Sequence, residues 1–245
     1  MAKVFAYTIT RANTPERCRL LLETLTHGRE NAAYKDLHWH VFVNGRGILA
    51  EGIAASCLAT GVIDSYEVCE VNEGQHPPTN RAIARAIEEG YDYILRTDDD
   101  VEWITKRWLA KLVEASIALG PDMVVSPMVK GLRWQPPQSE KVDVGGIPVK
   151  FVEGPLGGIC RLTPVSALKA KPYVSDVRLP MGGGDAAGIG AWATKTAPIT
   201  FLVYCQHIRV RHARSTDDQE TKDPAHFSDH SLYQSCPYIP IVENE

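Results

Sequence analysis

Three consecutive aspartates, Asp98, Asp99 and Asp100, directly follow the alternating apolar segment YDYILRT. Carboxylates this close repel one another unless a cation neutralises them. Mg²⁺ and Mn²⁺ suit such a group, because they take one or two protein carboxylates and complete their shell with water and substrate phosphates. The triplet therefore predicts a metal site that binds a ligand containing a diphosphate.

The same residues also fit a purely structural interpretation. Aspartates are common in solvated turns, and they cap helices at the positive amino-terminal end. A helical pattern does begin shortly after the triplet, at Trp108. The choice between the two interpretations depends on the elements that surround the aspartates.

Predicted strands and helices alternate through the first half of the chain. The predicted strands are 3–10, the segment that ends at Asn44, 66–74, the segment before the aspartates, and DMVVSPMV. The predicted helices run from a Thr14 cap to Gly28, from Thr79 to Gly90, and from Trp108 to Gly120. This alternation is typical of a parallel sheet covered by helices. Because ligands bind at the carboxyl ends of such strands, Thr10, Arg11, Asn44, 72–74 and the aspartates should surround one crevice.

The composition is that of a soluble globular protein. The chain has 245 residues and a net charge of -4, which gives no electrostatic footprint for non-specific nucleic-acid binding. Six cysteines are scattered without a C-x-x-C pair, which favours buried thiols in a reducing compartment. Neither a signal peptide nor an apolar run long enough to span a membrane is found, so we expect a cytoplasmic protein.

Several motifs occur in an order and spacing that resemble the family 2 glycosyltransferases. They are N-x-G-(x)5-N-R-A-I from Asn72 to Ile83, the strand ending in the aspartates, GGICRLTPVSAL at 157–168, GGGDAAGIGAWATKTA, and VYCQHIRVRH. The resemblance covers residues 3–214. It implies an α/β protein of the GT-A fold, with a single Rossmann-like, mainly parallel sheet flanked by helices.

The resemblance also implies a domain organisation. The GT-A catalytic domain would be 1–215, with a donor half at about 1–120 and an acceptor half at about 121–215. Residues 216–245 are polar and rich in turn-forming residues, so we interpret them as a C-terminal tail or covering loop.

Residue roles follow from the matched motifs. Asp98 and Asp100 would be the outer members of the family's D-x-D motif and, with His212, the metal ligands. His207 is the alternative third ligand, and Asp185 would be the catalytic base. The remaining positions of the implied donor pocket are Thr10, Arg11, Asn44, Asn72, Asn80, Asp98 and Asp99.

Three positions depart from the family pattern. Gly184 stands where the family has the glutamate of an E-D pair, Thr79 where it has an arginine, and Asn44 where it often has an aspartate. The first departure leaves the predicted base in place. The other two concern recognition of the nucleotide, so a UDP-sugar donor is only the family's usual choice.

The expected activity is metal-dependent, inverting transfer of a sugar from a nucleotide-diphosphate donor to an acceptor hydroxyl, with Mn²⁺ or Mg²⁺ as cofactor. The acceptor could be a saccharide, a small molecule, a protein or a modified nucleic-acid base. Two alternatives stay open: a sugar-phosphate nucleotidyltransferase, and a non-catalytic nucleotide-sugar-binding protein of the same fold. The nucleotidyltransferase should have a glycine-rich basic loop after the first strand, and TRANTPER has no glycine.

Other residues have weaker functional interpretations. A tryptophan can stack on a sugar ring, although tryptophans more often lie in the core. Basic residues near 207–214 could meet a diphosphate or could be solvated edge charges. The residues concerned are Trp103, Trp134, Trp192, Arg209, Arg211 and Arg214.

Overall fold

The protein is described by a computed structural model that covers residues 1–46, 48–121, 123–131, 138–152, 159–170 and 201–213. The helices are α1 (Pro15–Ala32), α2 (Ile48–Ala59), α3 (His76–Glu88), α4 (Trp108–Leu119) and α5 (Val165–Ala170). The strands are β1 (Val4–Thr10), β2 (Leu37–Asn44), β3 (Ser65–Cys69), β4 (Tyr93–Thr97), β5 (Val101–Trp103), β6 (Met123–Lys130), β7 (Val142–Val144), β8 (Ile147–Phe151), β9 (Cys160–Pro164) and β10 (Phe201–His212).

The described strands form one sheet in the order β3-β2-β1-β4-β9-β6-β10-β8-β7, and β5 pairs with β10 outside this path. Strands β3, β2, β1 and β4 are parallel to their neighbours, as are β6 and β10. Strand β9 runs antiparallel between β4 and β6. The predicted α/β class with a mainly parallel central sheet is therefore confirmed, and the antiparallel pairs lie beyond β4.

Helix α1 begins as predicted but ends later. Thr14 caps it, since its Oγ1 accepts a hydrogen bond from the Arg17 backbone N–H at 3.3 Å. Gly28 does not end the helix: it is buried inside α1, and the helix continues to Ala32, where Ala33 takes a left-handed conformation. A Cβ at position 28 would lie 2.5 Å from the Trp39 ring. The glycine is therefore there for close packing.

Two other predictions about the elements need correction. Helix α3 begins at His76 rather than at Thr79, because Pro77 and Pro78 fit its first turn. Strand β3 ends at Cys69, so 70–74 is a loop. Helix α2 and strand β5 were not predicted. In α2 apolar residues lie around the whole helix instead of forming a stripe, and β5 has only three residues.

A steric prediction follows from Gly28. Gly28→Ala should lower the free energy of unfolding by about 1–3 kcal/mol, because the new methyl group would clash with Trp39 and with Trp103, whose Nε1 would be 2.7 Å away. Gly52→Ala is the matched control, since Gly52 is also helical but has no neighbouring atom within 4 Å of the added Cβ. Urea unfolding should show a loss for the first variant and a small gain for the second. Equal gains would contradict the packing role.

A partly buried histidine cluster lies where β2 begins, at the opposite end of the strand from Asn44. The Ser65 Oγ is 2.8 Å from His38 Nε2 and 2.8 Å from His40 Nδ1, and an Arg85 guanidinium nitrogen is 3.2 Å from His40 Nδ1. Burial, reinforced by the charge of Arg85, lowers the pKa of His40 to about 4. His40 is therefore neutral in the folded protein at neutral pH.

This cluster predicts acid sensitivity of the fold. The unfolded chain takes up the His40 proton near pH 6.5 and the folded chain only near pH 4, so stability is lost as the pH falls through this interval. The loss should reach about 3 kcal/mol by pH 4. His40→Phe keeps a ring against Phe42 and should flatten the dependence of the unfolding free energy on pH between 6.5 and 4.

The control for this measurement is His27→Phe, because His27 is exposed on α1. Its denaturation curves should show the pH slope of the natural protein. An unchanged slope in His40→Phe would mean that His40 does not carry the effect.

Candidate functional site

The candidate site lies at the edge of the sheet where β1, β2 and β4 end. These strands are parallel neighbours, so Thr10, Asn44 and Thr97 terminate on the same side. The aspartates follow Thr97 directly, before β5. Two returning segments fix their backbone: the Asp98 N–H donates to the Ile159 carbonyl at 3.0 Å, and the Ala213 N–H donates to the Asp100 carbonyl at 2.7 Å. The backbone of the triplet is therefore fixed to the edge of the sheet by hydrogen bonds.

Asp99 is the most completely satisfied of the three carboxylates. The Thr10 hydroxyl donates to its Oδ2 at 2.6 Å, and the Arg17 guanidinium donates to its Oδ1 at 2.6 Å. Only 6% of the residue is exposed. Burial raises the pKa of Asp99 to about 6, and the neighbouring charge of Asp100 adds to this, while Arg17 and Thr10 oppose it. Since both of its oxygens are engaged, Asp99 is held inside the protein.

Asp100 is in contact with two cationic or potentially cationic groups. Its Oδ2 accepts a hydrogen bond from Arg17 at 3.0 Å and lies 3.0 Å from His212 Nε2. Asp100 is 4% exposed, and His212 is 112 positions away in the chain. The structure thus brings together two predicted ligands that are far apart in the sequence.

Asp98 faces a different set of partners. Its Oδ1 accepts a hydrogen bond from Arg96 at 3.3 Å, and the same arginine nitrogen donates to Gln75 Oε1 at 2.7 Å. Desolvation inside the protein raises the pKa of Asp98, and the positive charge of Arg96 opposes the rise. About 31% of its side chain is exposed, so it is the most open of the three aspartates.

The donor set suits a divalent ion in part. Among the residues that the structure describes, no three His, Cys, Asp or Glu side chains are grouped to hold a metal. Asp100 and His212 nevertheless supply an oxygen and a nitrogen at one point, and Asp98 is open nearby. Mg²⁺ and Mn²⁺ bound with a substrate diphosphate need only one or two protein donors. The residues present fit that mode.

Arg17 is a site residue that sequence reasoning missed. The pattern around it was interpreted only as the apolar stripe of a helix. A signal did exist: Arg17 lies in the first turn of α1, where the helix dipole disfavours a positive charge. An arginine in this disfavoured position, in the helix that follows β1, favours a carboxylate partner nearby.

Asn44 and Asn72 shape the neighbouring loop. The Asn44 Nδ2 donates to the Gly74 carbonyl at 2.6 Å, and its Oδ1 accepts from the Glu73 N–H at 2.9 Å. The exposed Asn72 accepts from the Gly74 N–H at 3.1 Å. Asn44 thus joins the end of β2 to the loop that follows β3, and direct contact of either asparagine with a nucleotide stays a prediction.

The structure also describes two further predicted donor residues. Arg11 is exposed directly after β1, and Asn80 is half-buried in α3. The predicted base, Asp185, lies outside the described residues, as do Gly184, Trp134, Trp192 and Arg214.

The two histidines of β10 separate clearly. A bulge between Cys205 and Arg209 interrupts the strand, and the charged neighbours of His207 are Lys111 and Glu114 of α4. His212, in contrast, touches Asp100. Of the two histidines, His212 is therefore the one that lies beside the aspartates.

The remaining aromatic and basic candidates that the structure describes lie away from the aspartate side chains. Trp103 is buried, stacks on Trp108 at 3.9 Å between ring centroids, and donates to the Thr24 carbonyl at 2.8 Å. Trp103 is therefore a core residue. Arg209 and Arg211 are exposed, and Arg211 forms an ion pair with Glu102 at 2.8 Å.

Sequence comparisons find no relative of this chain: no protein-family model matches it, and no curated protein does. No helix in the described part of the chain has the length and apolar character that a membrane span requires.

Solved structures do match. Staphylococcus aureus TarS 1–349 in complex with UDP has a TM-score of 0.61 at 12% identity, over 89% of this chain and 62% of that one. GalNAc-T7 with UDP, GalNAc and Mn²⁺ has a TM-score of 0.60 at 11% identity, over 86% and 44%. The Pyrobaculum calidifontis mannosyltransferase PcManGT with GDP-Man and Mn²⁺ has a TM-score of 0.59 at 12% identity, over 88% and 58%.

The chain thus spans between 44% and 62% of the length of these three proteins. At this level of identity the comparison concerns the arrangement of the backbone. Together with the sheet order and the acidic strand end, it identifies the fold of the chain as that of the GT-A glycosyltransferases.

Proposed function

We propose that this protein is a metal-dependent, inverting glycosyltransferase that uses a nucleoside-diphosphate sugar. The observation that carries the proposal is the contact between Asp100 Oδ2 and His212 Nε2, which lie 3.0 Å apart just after the carboxyl end of β4. Parallel sheets bind ligands at this end. A carboxylate and an imidazole that meet there, beside an open Asp98, form a donor set for a cation that also ligates a diphosphate.

Asp100 and His212 would hold the ion, with Asp98 as the third predicted ligand. When bound, Mn²⁺ or Mg²⁺ supplies Lewis-acid stabilisation of the negative charge that develops on the leaving diphosphate. Thr10 and Arg17 keep Asp99 in place beside these ligands. Preorganised charges of this kind are the largest contributors to many enzymatic rates.

The transfer step requires a base. As the acceptor oxygen bonds to the anomeric carbon, its proton goes to Asp185, and the bond to the diphosphate oxygen breaks with its electron pair leaving on the phosphate. A single carboxylate base without a carboxylate nucleophile inverts the anomeric carbon. General-base assistance contributes about 10²- to 10⁴-fold.

TarS, GalNAc-T7 and PcManGT are described in complexes with UDP or GDP-Man. These names support a nucleoside-diphosphate sugar as the donor of this chain as well, without selecting the base. The acceptor classes and the cytoplasmic location stay predictions from the sequence.

A thermal-shift screen of UDP-, GDP-, CDP-, ADP- and TDP-sugars, each with and without Mn²⁺, tests donor and metal together. A ligand that binds only the folded state raises the melting temperature by mass action. We expect one nucleotide base to stabilise the protein, and only when Mn²⁺ is present. Equal stabilisation without Mn²⁺ would contradict the proposed metal dependence of donor binding. A failure of every nucleotide sugar to stabilise the protein would contradict the proposed donor site.

Two substitutions separate binding from chemistry. Asp100→Ala should abolish both the Mn²⁺-dependent shift and the Mn²⁺-dependent release of nucleoside diphosphate from the donor. Asp185→Ala should keep the Mn²⁺-dependent rise in melting temperature and should lower the rate of nucleoside-diphosphate release by about 10²- to 10⁴-fold. Glu102→Ala is the control, because Glu102 is an exposed carboxylate two positions from Asp100. Full turnover in Asp185→Ala would exclude this base, and binding without turnover in the natural protein would favour a non-catalytic binding protein.

A further inference from the structure

Arg17 occupies a distinctive place in the carboxylate site. One guanidinium nitrogen donates to Asp99 Oδ1 at 2.6 Å, and the other donates to Asp100 Oδ2 at 3.0 Å. Only 19% of its side chain is exposed, and the two acids are exposed by 8% and 5% of theirs. The guanidinium is therefore a largely buried cation that bridges two buried carboxylates.

These two carboxylates need a counter-charge even before any ligand arrives. An ionised carboxylate removed from water is costly unless a cation and hydrogen bonds compensate for the lost hydration. Thr10 supplies a hydrogen bond to Asp99 but no charge. Arg17 supplies the charge, with the forked geometry that suits paired carboxylate oxygens.

The contact with Asp100 has a consequence for metal binding. Arg17 donates to Oδ2, which is also the oxygen that faces His212 Nε2. A divalent ion bound by this oxygen and by His212 would share the oxygen with the guanidinium, which also carries a positive charge. Two cations at one carboxylate oxygen repel each other strongly where little water screens them.

We propose that Arg17 is the resident counter-ion of this site and that it competes with the divalent ion for Asp100. This inference rests on the proposed function, because it concerns the metal that the transfer requires. The two guanidinium nitrogens make separate contacts, so the bond to Asp100 can break while the bond to Asp99 remains. Metal binding is then an exchange at Asp100 between a built-in cation and a soluble one.

The exchange also explains how a diphosphate would assist the metal. A guanidinium released from Asp100 needs another anionic partner, and phosphate oxygens are suitable ones. A nucleoside diphosphate brings negative charge for both cations. Mn²⁺ should therefore bind weakly to the protein alone and much more tightly when a nucleotide is present.

The test measures Mn²⁺ binding to the protein without nucleotide, by the electron paramagnetic resonance signal of free Mn²⁺. Arg17→Met removes the competing charge and should tighten Mn²⁺ binding by about tenfold or more, which corresponds to about 1.4 kcal/mol. Arg17→Lys keeps a positive charge and should not tighten it. Arg19→Met is the matched control, since Arg19 is on the same helix but is exposed and pairs with Glu23.

A second background guards against misfolding of Arg17→Met. Asp99→Asn removes one of the two buried carboxylate charges that Arg17 neutralises. The double variant Arg17→Met/Asp99→Asn therefore keeps only one carboxylate without its arginine, that of Asp100. Within this background, Arg17→Met should again tighten Mn²⁺ binding by about tenfold relative to Asp99→Asn alone. Asp100→Asn should abolish the difference in either background.

The outcomes distinguish this inference from the proposed function. Tighter binding in Arg17→Met but not in Arg17→Lys supports the competition. Measurable binding to the natural protein with equal or weaker binding to Arg17→Met overturns the competition and leaves the glycosyltransferase proposal intact. If no variant binds Mn²⁺, even with the nucleotide selected in the screen, the result overturns both the competition at Asp100 and the metal dependence of the proposed activity.

Discussion

The structure depends on how it neutralises two buried carboxylates at the end of β4. Asp99 and Asp100 are adjacent in sequence and nearly inaccessible to water, an arrangement that is unstable without compensation. The compensation comes from three elements that are distant in the chain: Thr10 of β1, Arg17 of α1 and His212 of β10. Each side chain reaches the acids only if its element docks on the correct edge of the sheet. The electrostatic requirement of the triplet therefore couples the first strand, the first helix and the last described strand.

One stripe of α1 provides much of this coupling. Arg17 binds the carboxylates. Two helical turns later, the Thr24 hydroxyl accepts a hydrogen bond from the Val101 N–H at 2.8 Å. Val101 directly follows Asp100. On the next turn, Gly28 packs under Trp103, and its carbonyl accepts from Trp108 Nε1 at 2.9 Å. The same helix face thus contacts the aspartates and also the strand and helix that follow them. A side chain at position 28 that displaced Trp103 or Trp108 would therefore also disturb the position of the aspartates.

The sequence was sufficient for the parts of this arrangement that local patterns determine. Strand and helix periodicity located β1, β2 and β4 and placed Thr10, Asn44 and the aspartates at one edge, because parallel strands share their carboxyl ends. The packing role of Gly28 could not be predicted, since it depends on Trp39 and Trp103, which approach the glycine only in the fold. Arg17 was missed for a related reason: a charged residue in a helix is usually solvated, and its partners lie more than 80 positions away.

The contacts of the three acids add to the roles predicted for them from their order. A D-x-D pattern leaves the middle position undefined, and here that position is a third carboxylate, with both oxygens satisfied inside the protein by Thr10 and Arg17. Asp98 is more open and Asp100 is shared between Arg17 and His212, while contact of Asp99 with the donor stays a prediction. The middle acid instead fixes Arg17 in place, and Arg17 in turn sets the charge that any incoming cation meets at Asp100. In this chain the middle aspartate, Asp99, retains the arginine, and we propose that the outer two, Asp98 and Asp100, serve the donor.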